Sequence, residues 1–364
     1  MQGAVLRQVG DTKVSVVDDL EVVGTGPGQV RVDIQATGVC HTDISAMEGI
    51  IPTGIPAVLG HEGAGIVAEV GEGVKNVVIG DHVVVAWVPP CGNCSYCLGG
   101  QPHLCLEIMM LTSMEPRFVL NGEPVFGLAG CGTFAEEVVL PAQSVVKIPD
   151  DVPFDVASLL GCGVMTGVGA AINTAKVTPG SSVVVFGVGG IGVSVIQGAK
   201  IAGAAEIVAV DPIESKWEQA KRFGATHACA PDGLDTLKSE LTAGQGFDFA
   251  FEAVGIPATI RATYDAARRG GTAVIVGAGR GDQTIELNAF ELFYMEKHLV
   301  GSFYGSANVR LDFDRLLRLW RTGRLDLEGM ITQKVPLSDV NSAFDDLKAG
   351  KVIRTVLEVG SSRR

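Results

Sequence analysis

A buried-type apolar run, SSVVVFG, leads directly into G-x-G-x-x-G at Gly187, Gly189 and Gly192, and those glycines open a second, helix-like apolar run. Parallel strands need a helical crossover, so a strand that turns on glycine and restarts as a helix begins a strand–helix–strand unit. The next buried-type strand, EIVAVD, ends on Asp211, 19 residues after Gly192. A carboxylate placed there can accept hydrogen bonds from a dinucleotide's ribose, while the glycines let backbone and helix N-terminus approach its pyrophosphate. For the glycines alone, an ordinary strand–turn–helix is the plainer alternative. A carboxylate at Asp211 repels a 2′-phosphate, so NAD is expected rather than NADP. The alternation continues with a helix over 215–223, a strand FDFAFEAV, a helix near 258–267 and a strand GTAVIVGAG. This half is expected to be α/β, a doubly wound parallel sheet.

The flanking sequence has another texture. Up to about residue 147, short alternating strands such as GQVRVDIQATGV, GAGIVAEVG and GDHVVVAWV are broken by glycine and proline turns, as in an all-β unit. Asp151 and Pro153 are placed to start a helix running through residue 170. Helices over 308–320 and 339–348 and a last strand over 354–359 complete the tail. A chain of 364 residues exceeds what one core usually organises, which also favours two domains.

The formal charge of −13 removes the basic footprint that nucleic acid or an anionic membrane requires. No uninterrupted apolar stretch reaches the roughly 18 residues of a membrane span. The most apolar segment, 183–196, is punctuated by four glycines and a serine. The N-terminal residues alternate like a strand and lack a signal peptide's apolar centre, so the expectation is a soluble, cytoplasmic protein. In such a chain, eight cysteines point to metal or catalysis before disulfides.

Cys91, Cys94, Cys97 and Cys105 form C-x2-C-x2-C-x7-C among turn-forming prolines and glycines. Four thiolates held close by tight turns suit the closed tetrahedral shell of a structural Zn²⁺. An iron–sulfur cluster is the competing reading; the seven-residue gap and the missing Cys-Pro ending count against it. Three further donors sit beside glycines: Cys40 in GVCHTD, His61 in GHEGAG and Cys162 in GCGV. Singly, each reads as a small buried residue or a satisfied histidine. Together they offer two thiolates and an imidazole, a zinc set with its fourth position open.

In this order the pieces resemble the zinc-containing, medium-chain alcohol dehydrogenase family, over almost the whole chain. The resemblance implies a GroES-like β-barrel catalytic domain formed by residues 1–163 and 303–364, around a Rossmann NAD-binding domain of residues 164–302. It implies two Zn²⁺ per chain, with Cys40, His61 and Cys162 as catalytic ligands and Cys91, Cys94, Cys97 and Cys105 as structural ones. By the same resemblance Glu62 is the carboxylate behind the catalytic metal and Thr42 the hydroxyl that takes the substrate proton. His41 and Arg354 match the cofactor-phosphate contacts and Lys216 the basic residue beside the ribose. Gly187, Gly189, Gly190, Ile191, Gly192, Asp211 and Val276 complete the cofactor set, and Trp87 and Ile51 line the substrate pocket. Asp43 is placed to orient His61. Many relatives end a proton relay on a histidine three positions after the hydroxyl residue; here that position is Ser45.

The implied activity is reversible hydride transfer between NAD and a small-molecule primary alcohol, with aromatic and allylic alcohols among the candidates. Within the enzyme class the alternative is a mycothiol-dependent formaldehyde dehydrogenase, which LLGCGVMTGVGAAINT around Cys162 resembles. The glutathione-dependent version normally places acids where this chain has Ile50 and Ile51. A non-catalytic zinc- and nucleotide-binding protein of the same fold is the alternative from another class; the joint presence of Cys40, His61, Cys162 and Thr42 argues against it. A long segment after Cys105 and an apolar sheet edge near 299–304 lead to the expectation of a homodimer, without nucleic-acid or membrane partners.

Overall fold

The computed structural model describes residues 1–360. The chain divides into two compact units, one of Met1–Cys162, Asn308–Arg318 and Leu327–Arg364, the other of Gly163–Ala307 and Leu319–Asp326. The return to the first unit thus falls at Asn308, and the short piece Leu319–Asp326 stays with the second.

The first unit is built on two sheets. In the seven-stranded one, Gln29–Gly38 runs beside Glu62–Val70 and Arg354–Glu358, with His82–Val85, Val145–Lys147, Ile331–Pro336 and Glu137–Pro141 completing it. Gln29–Gly38 alternates buried and half-buried residues along most of its length, as a strand with one face on a core must. Its inward residues Val30, Val32 and Ile34 join Val67, Val83, Val85 and Phe134 in a core that also takes Val5, Leu6 and Val58 from the six-stranded sheet. The unit is not purely β, however. A helix His41–Met47 follows Gln29–Gly38, and the segment after Cys105 folds as a helix Glu107–Met114 and a hairpin, Phe118–Leu120 with Glu123–Gly127. That segment is therefore structured, and the next strand starts at Glu137. Both helices escape a pattern reading because they are short and carry little amphipathic signal.

The second unit holds a six-stranded parallel sheet. Its elements are β1 (Ser182–Phe186), α1 (Gly190–Ala202), β2 (Glu206–Val210), α2 (Ser215–Phe223), β3 (His227–Cys229), α3 (Leu234–Thr242), β4 (Phe247–Glu252), α4 (Pro257–Ala266), β5 (Ala267–Ile275), α5 (Ala289–Met295) and β6 (His298–Gly301). The strand order is β3-β2-β1-β4-β5-β6, the doubly wound dinucleotide-binding order. Val183, Val184 and Val185 are fully buried, as expected of a central strand covered on both faces. The edge strand is His298–Gly301, shorter than the 299–304 expected, because the chain turns into a 3₁₀ segment at Tyr304–Ser306.

One helical stretch, Phe154–Thr174, is long and apolar enough to cross a membrane, whereas the sequence reading found no apolar run of that length. Of its most apolar 18-residue window 89% is buried inside the protein, the position of a core helix. Its small residues let it pack closely: a Cβ at Gly167 would meet the Ser194 side chain on α1 at 2.4 Å.

Strand packing in the first unit sets a comparable limit. A Cβ on Gly65 would lie 2.2 Å from the Asp33 carbonyl oxygen, backbone that cannot swing aside. Gly65→Ala is expected to lower stability by about 1–3 kcal/mol. An unfolding midpoint equal to the wild type's in a denaturant titration would show that these strands have room to part.

Candidate metal and nucleotide sites

The four clustered cysteines converge. Their sulfur atoms all lie within 4.8 Å of one another, with Cys91 and Cys97 Sγ 3.9 Å apart. Zn–S bonds of about 2.3 Å in a tetrahedron put sulfurs about 3.8 Å apart, so the donor set fits zinc. Gly92 and Gly100, at φ +81° and +78°, supply the turns. The backbone N–H groups of Asn93 and Cys94 each donate to Cys91 Sγ at 3.3 Å and lower that thiol's pKa to about 7. Burial pushes Cys97 up to about 12 and raises Cys105 as well. A cluster in which one thiol ionises readily and its neighbours resist is one that a cation would complete.

The dispersed donors also meet. Cys40, His61 and Cys162 present their ligand atoms within 4.8 Å of one another, and Glu62 falls inside the same limit. Cys40 occupies the N-cap position of His41–Met47. From the first turn of that helix the fully buried Asp43 reaches back, its Oδ2 accepting from the Cys40 N–H at 3.0 Å and its Oδ1 from the Gly60 N–H at 2.9 Å. The same carboxylate lies 3.5 Å from His61 Nδ1, which places it to orient the ring. Cys162 arrives on a π-helical turn, Leu160–Val164. Gly161 permits that approach, since a Cβ there would stand 3.0 Å from the Val85 carbonyl oxygen.

The donors' ionisation suits a metal. The hydrogen bond with Cys162, and then that with His61, draws the Cys40 thiol well below its usual pKa despite burial. Burial pulls His61 down, but the charges of Asp43 and Cys40 outweigh it and carry the imidazole to about 10. Both shifts favour charge at the site, the thiolate on Cys40 and the imidazolium on His61.

The remaining expected residues of this unit are placed as follows. Thr42 Oγ1 is 3.6 Å from Cys40 Sγ, on the side-chain end of the same helix turn. The Trp87 ring meets His61 edge-on, with centroids 6.3 Å apart. His41 is exposed and Ile51 half-buried. Arg354, read from the resemblance as a phosphate contact, is 4% exposed and ion-paired through Nη2 to Glu62 Oε2. Gly38, which no motif had singled out, makes room for the pair: a Cβ there would fall 2.1 Å from Glu62 Oε2 and 2.9 Å from Arg354 Nη2.

The glycine turn of the second unit has a geometric reason for each glycine. Gly187 sits at φ +92°, Gly189 has only open space where a Cβ would point, and a Cβ on Gly192 would lie 1.8 Å from the Gly187 carbonyl oxygen. These are the turn, the close ligand approach and the helix–strand packing that a dinucleotide turn requires. Gly190 and Ile191 form the first turn of α1. Asp211 follows β2 and holds the turn itself: Oδ2 accepts from the Val188 N–H at 2.9 Å, and Oδ1 from the Ile213 N–H at 3.0 Å. Lys216 Nζ is 3.4 Å from that carboxylate. Val276, just past β5, donates its N–H to the Glu252 carbonyl oxygen. Apolar side chains that the pattern reading passed over stand exposed at the carboxyl ends of the strands, Ile213, Val254 and Ile256.

An open three-donor set, a closed thiolate set and a dinucleotide turn on one chain make the architecture of a metal-assisted dehydrogenase. Residues 26–150 match the alcohol dehydrogenase GroES-like domain, and residues 190–321 match the zinc-binding dehydrogenase domain. A Mycobacterium tuberculosis H37Rv protein with the provisional name alcohol dehydrogenase D is 40% identical, covering 97% of this chain and 98% of that one. The S-(hydroxymethyl)glutathione dehydrogenase of Escherichia coli O6:K15:H31 is 39% identical over 93% of this chain and 95% of its own. Among solved structures, the benzyl alcohol dehydrogenase of Acinetobacter calcoaceticus superposes with a TM-score of 0.91 at 31% identity, covering 98% of this chain and 99% of that one. The chain belongs to the zinc-containing, medium-chain alcohol dehydrogenase family.

The raised pKa of His61, which favours a proton on its ring, generates a pH prediction. Zinc entering the metal-free site must displace that proton, so uptake near pH 7 releases it, and affinity tightens as the pH is raised toward the imidazole's pKa of about 10. Indicator-dye titrations that show no proton release, or an affinity flat over that range, would count against the three-donor set. In metal analysis the wild type should carry two zinc ions and Cys40→Ala one.

Proposed function

We propose that this protein is a zinc-dependent alcohol dehydrogenase that transfers hydride reversibly between NAD and a primary alcohol, with aromatic and allylic alcohols among the candidates. The observation that carries the reading is the convergence of Cys40, His61 and Cys162 beside Thr42. Cys40, His61 and Cys162 hold the catalytic zinc, and the four clustered cysteines hold the structural one. When bound, the zinc supplies Lewis acidity to the alcohol oxygen and the nicotinamide supplies the hydride acceptor. The rest falls to the chain. Thr42 takes the alcohol proton at Oγ1 and passes it outward, with water or His41 finishing a relay that Ser45 cannot continue as a histidine would. Asp43 holds His61 in position, Arg354 neutralises Glu62 behind the donors, and Trp87 with Ile51 shapes the apolar side of the substrate pocket. Asp211 accepts from the ribose with the lone pairs its backbone donors leave free, and Lys216 lies beside it.

The names of the two relatives above support two readings of the substrate, a free alcohol and a thiol adduct of formaldehyde. The free alcohol is favoured over a glutathione adduct because Ile50 and Ile51 offer that thiol tripeptide no carboxylates, while a mycothiol adduct stays the alternative that the assay below separates. Benzyl alcohol with NAD should give turnover that a chelator abolishes, without added thiol. Asp211→Gly should narrow the preference for NAD over NADP. It should also weaken NAD itself, since Val188 and Ile213 lose their acceptor. Activity that appears only with formaldehyde and mycothiol would transfer the assignment to the thiol-dependent reaction, and equal use of NADP by the wild type would remove Asp211 from the ribose.

Six of the eight cysteines are zinc ligands in this reading and none is disulfide-bonded, a usage that suits a reducing cytoplasm, and we place the protein there. It acts as a homodimer in this reading. Strand β6 ends its sheet, and Phe290, Phe293 and Tyr294 of α5 are exposed nearby in the chain. An unpaired edge with exposed aromatics is an aggregation hazard that a two-fold interface removes. Light scattering at micromolar concentration should give the mass of a dimer; a monomer would refute edge pairing, and a tetramer would refute a dimer limited by the segment after Cys105.

A further inference from the structure

The carboxylate of Glu252 has no part in the chemistry described so far, yet it is fully buried at the carboxyl end of β4, the strand beside the one that carries the glycine turn. Its Oε1 accepts three hydrogen bonds, from the Val254 N–H at 2.9 Å, the Gly255 N–H at 2.7 Å and the Thr259 hydroxyl at 2.6 Å. Its Oε2 has no hydrogen-bond partner. The main-chain carbonyl of the same residue accepts from the N–H groups of Val276 and Gly277, just beyond β5. One residue thereby ties the turn from β4 into α4 to the turn that leaves β5.

Those turns meet at backbone contact. Gly255 has φ +89°, and a Cβ on it would lie 2.6 Å from the Ala278 carbonyl oxygen. A Cβ on Gly277 would lie 2.3 Å from the Gly255 nitrogen and 2.6 Å from Glu252 Oε2. The glycine turn rests on the same group, since Val254 Cγ2 would be 2.7 Å from a Cβ on Gly187. Three strand ends are thus drawn together at the edge of the sheet where doubly wound folds take their ligand. Val254 and Ile256, on the clamped turn, remain about half exposed there. A buried carboxylate is costly unless donors surround it, so a site that needed packing alone would be served by an apolar side chain. Charge-assisted bonds to fixed backbone N–H groups instead set the position of a turn.

We propose that Glu252 is a positioning residue for the nicotinamide cofactor: its carboxylate clamps the turns after β4 and β5 against the glycine turn, so that this part of the cofactor site is set before the cofactor arrives. The inference rests on the proposed use of a nicotinamide cofactor. Glu252→Gln keeps the volume and one acceptor oxygen but removes the charge that strengthens the three bonds. Thr259→Val removes one donor and leaves the carboxylate.

The experiment measures NADH binding by fluorescence for the purified wild type and both variants, with melting temperature and zinc content alongside and KM for NAD compared with KM for the alcohol. Glu252→Gln should raise the NADH dissociation constant about ten-fold, with two zinc ions retained and KM rising for NAD rather than for the alcohol. Thr259→Val should raise it about three-fold with little change in melting temperature. Wild-type NADH affinity in Glu252→Gln, with or without a lowered melting temperature, overturns the proposal. If that variant does not fold, wild-type affinity in Thr259→Val overturns it. A wild type that binds no NADH while holding two zinc ions would defeat the cofactor reading itself, which is a different result from wild-type affinity in the variants.

Discussion

The buried carboxylate of Asp43 is the constraint on which the metal-binding half depends. It joins two pieces of chain that are separated in sequence: its own helix cap at Cys40, and the adjoining residues Gly60 and His61, whose turn and ring it holds. Without it, two backbone N–H groups would be buried unpaired and the imidazole would lose the charge that sets its orientation. Each orphaned donor costs on the order of 1–3 kcal/mol, so the loops that carry Cys40 and His61 have strong reason to stay where Asp43 holds them.

The same device recurs in the second unit. Asp211 joins the glycine turn to the turn after β2, and Glu252 joins the turns after β4 and β5. Glu62, paired with Arg354, is the fourth member of the set. All four are nearly or wholly inaccessible to solvent, in a protein whose surface carries an excess of acids. Burying a charge is tolerated only where donors or a counter-charge surround it. Each carboxylate therefore specifies the loop geometry around it more sharply than apolar packing would, because a displaced donor leaves the charge uncompensated.

Glycine supplies the complementary half of the design. Gly38 opens the space that Glu62 and Arg354 share, Gly161 lets the Cys162 turn reach the strands, and Gly192 lets α1 press on the glycine turn. At Gly38 and Gly192 a single methyl group would collide with a buried charge or with backbone, and at Gly161 it would press tightly on the Val85 carbonyl. Carboxylates hold the loops; the missing side chains let them come close enough to be held.

Much of this was legible in the sequence. The strand–glycine–helix pattern and Asp211 announced the parallel sheet, because buried central strands are apolar throughout and a dinucleotide turn needs glycine at fixed spacing. The cysteine cluster announced itself because its four ligands lie within 15 residues of one another. The sequence could also name Cys40, His61 and Cys162 as donors and Asp43 as a partner of His61. The meeting of those donors belongs to the tertiary structure, since residues 40, 61 and 162 are brought together by a helix cap, a strand end and a π-helical turn. Local periodicity also missed the helices His41–Met47 and Glu107–Met114, which are too short to show an apolar stripe. It was silent on Gly38 and Glu252 for another reason. A glycine that clears space for a distant ion pair, and a glutamate that clamps turns from neighbouring strands, have no signature along the chain; their roles exist only where separated segments touch.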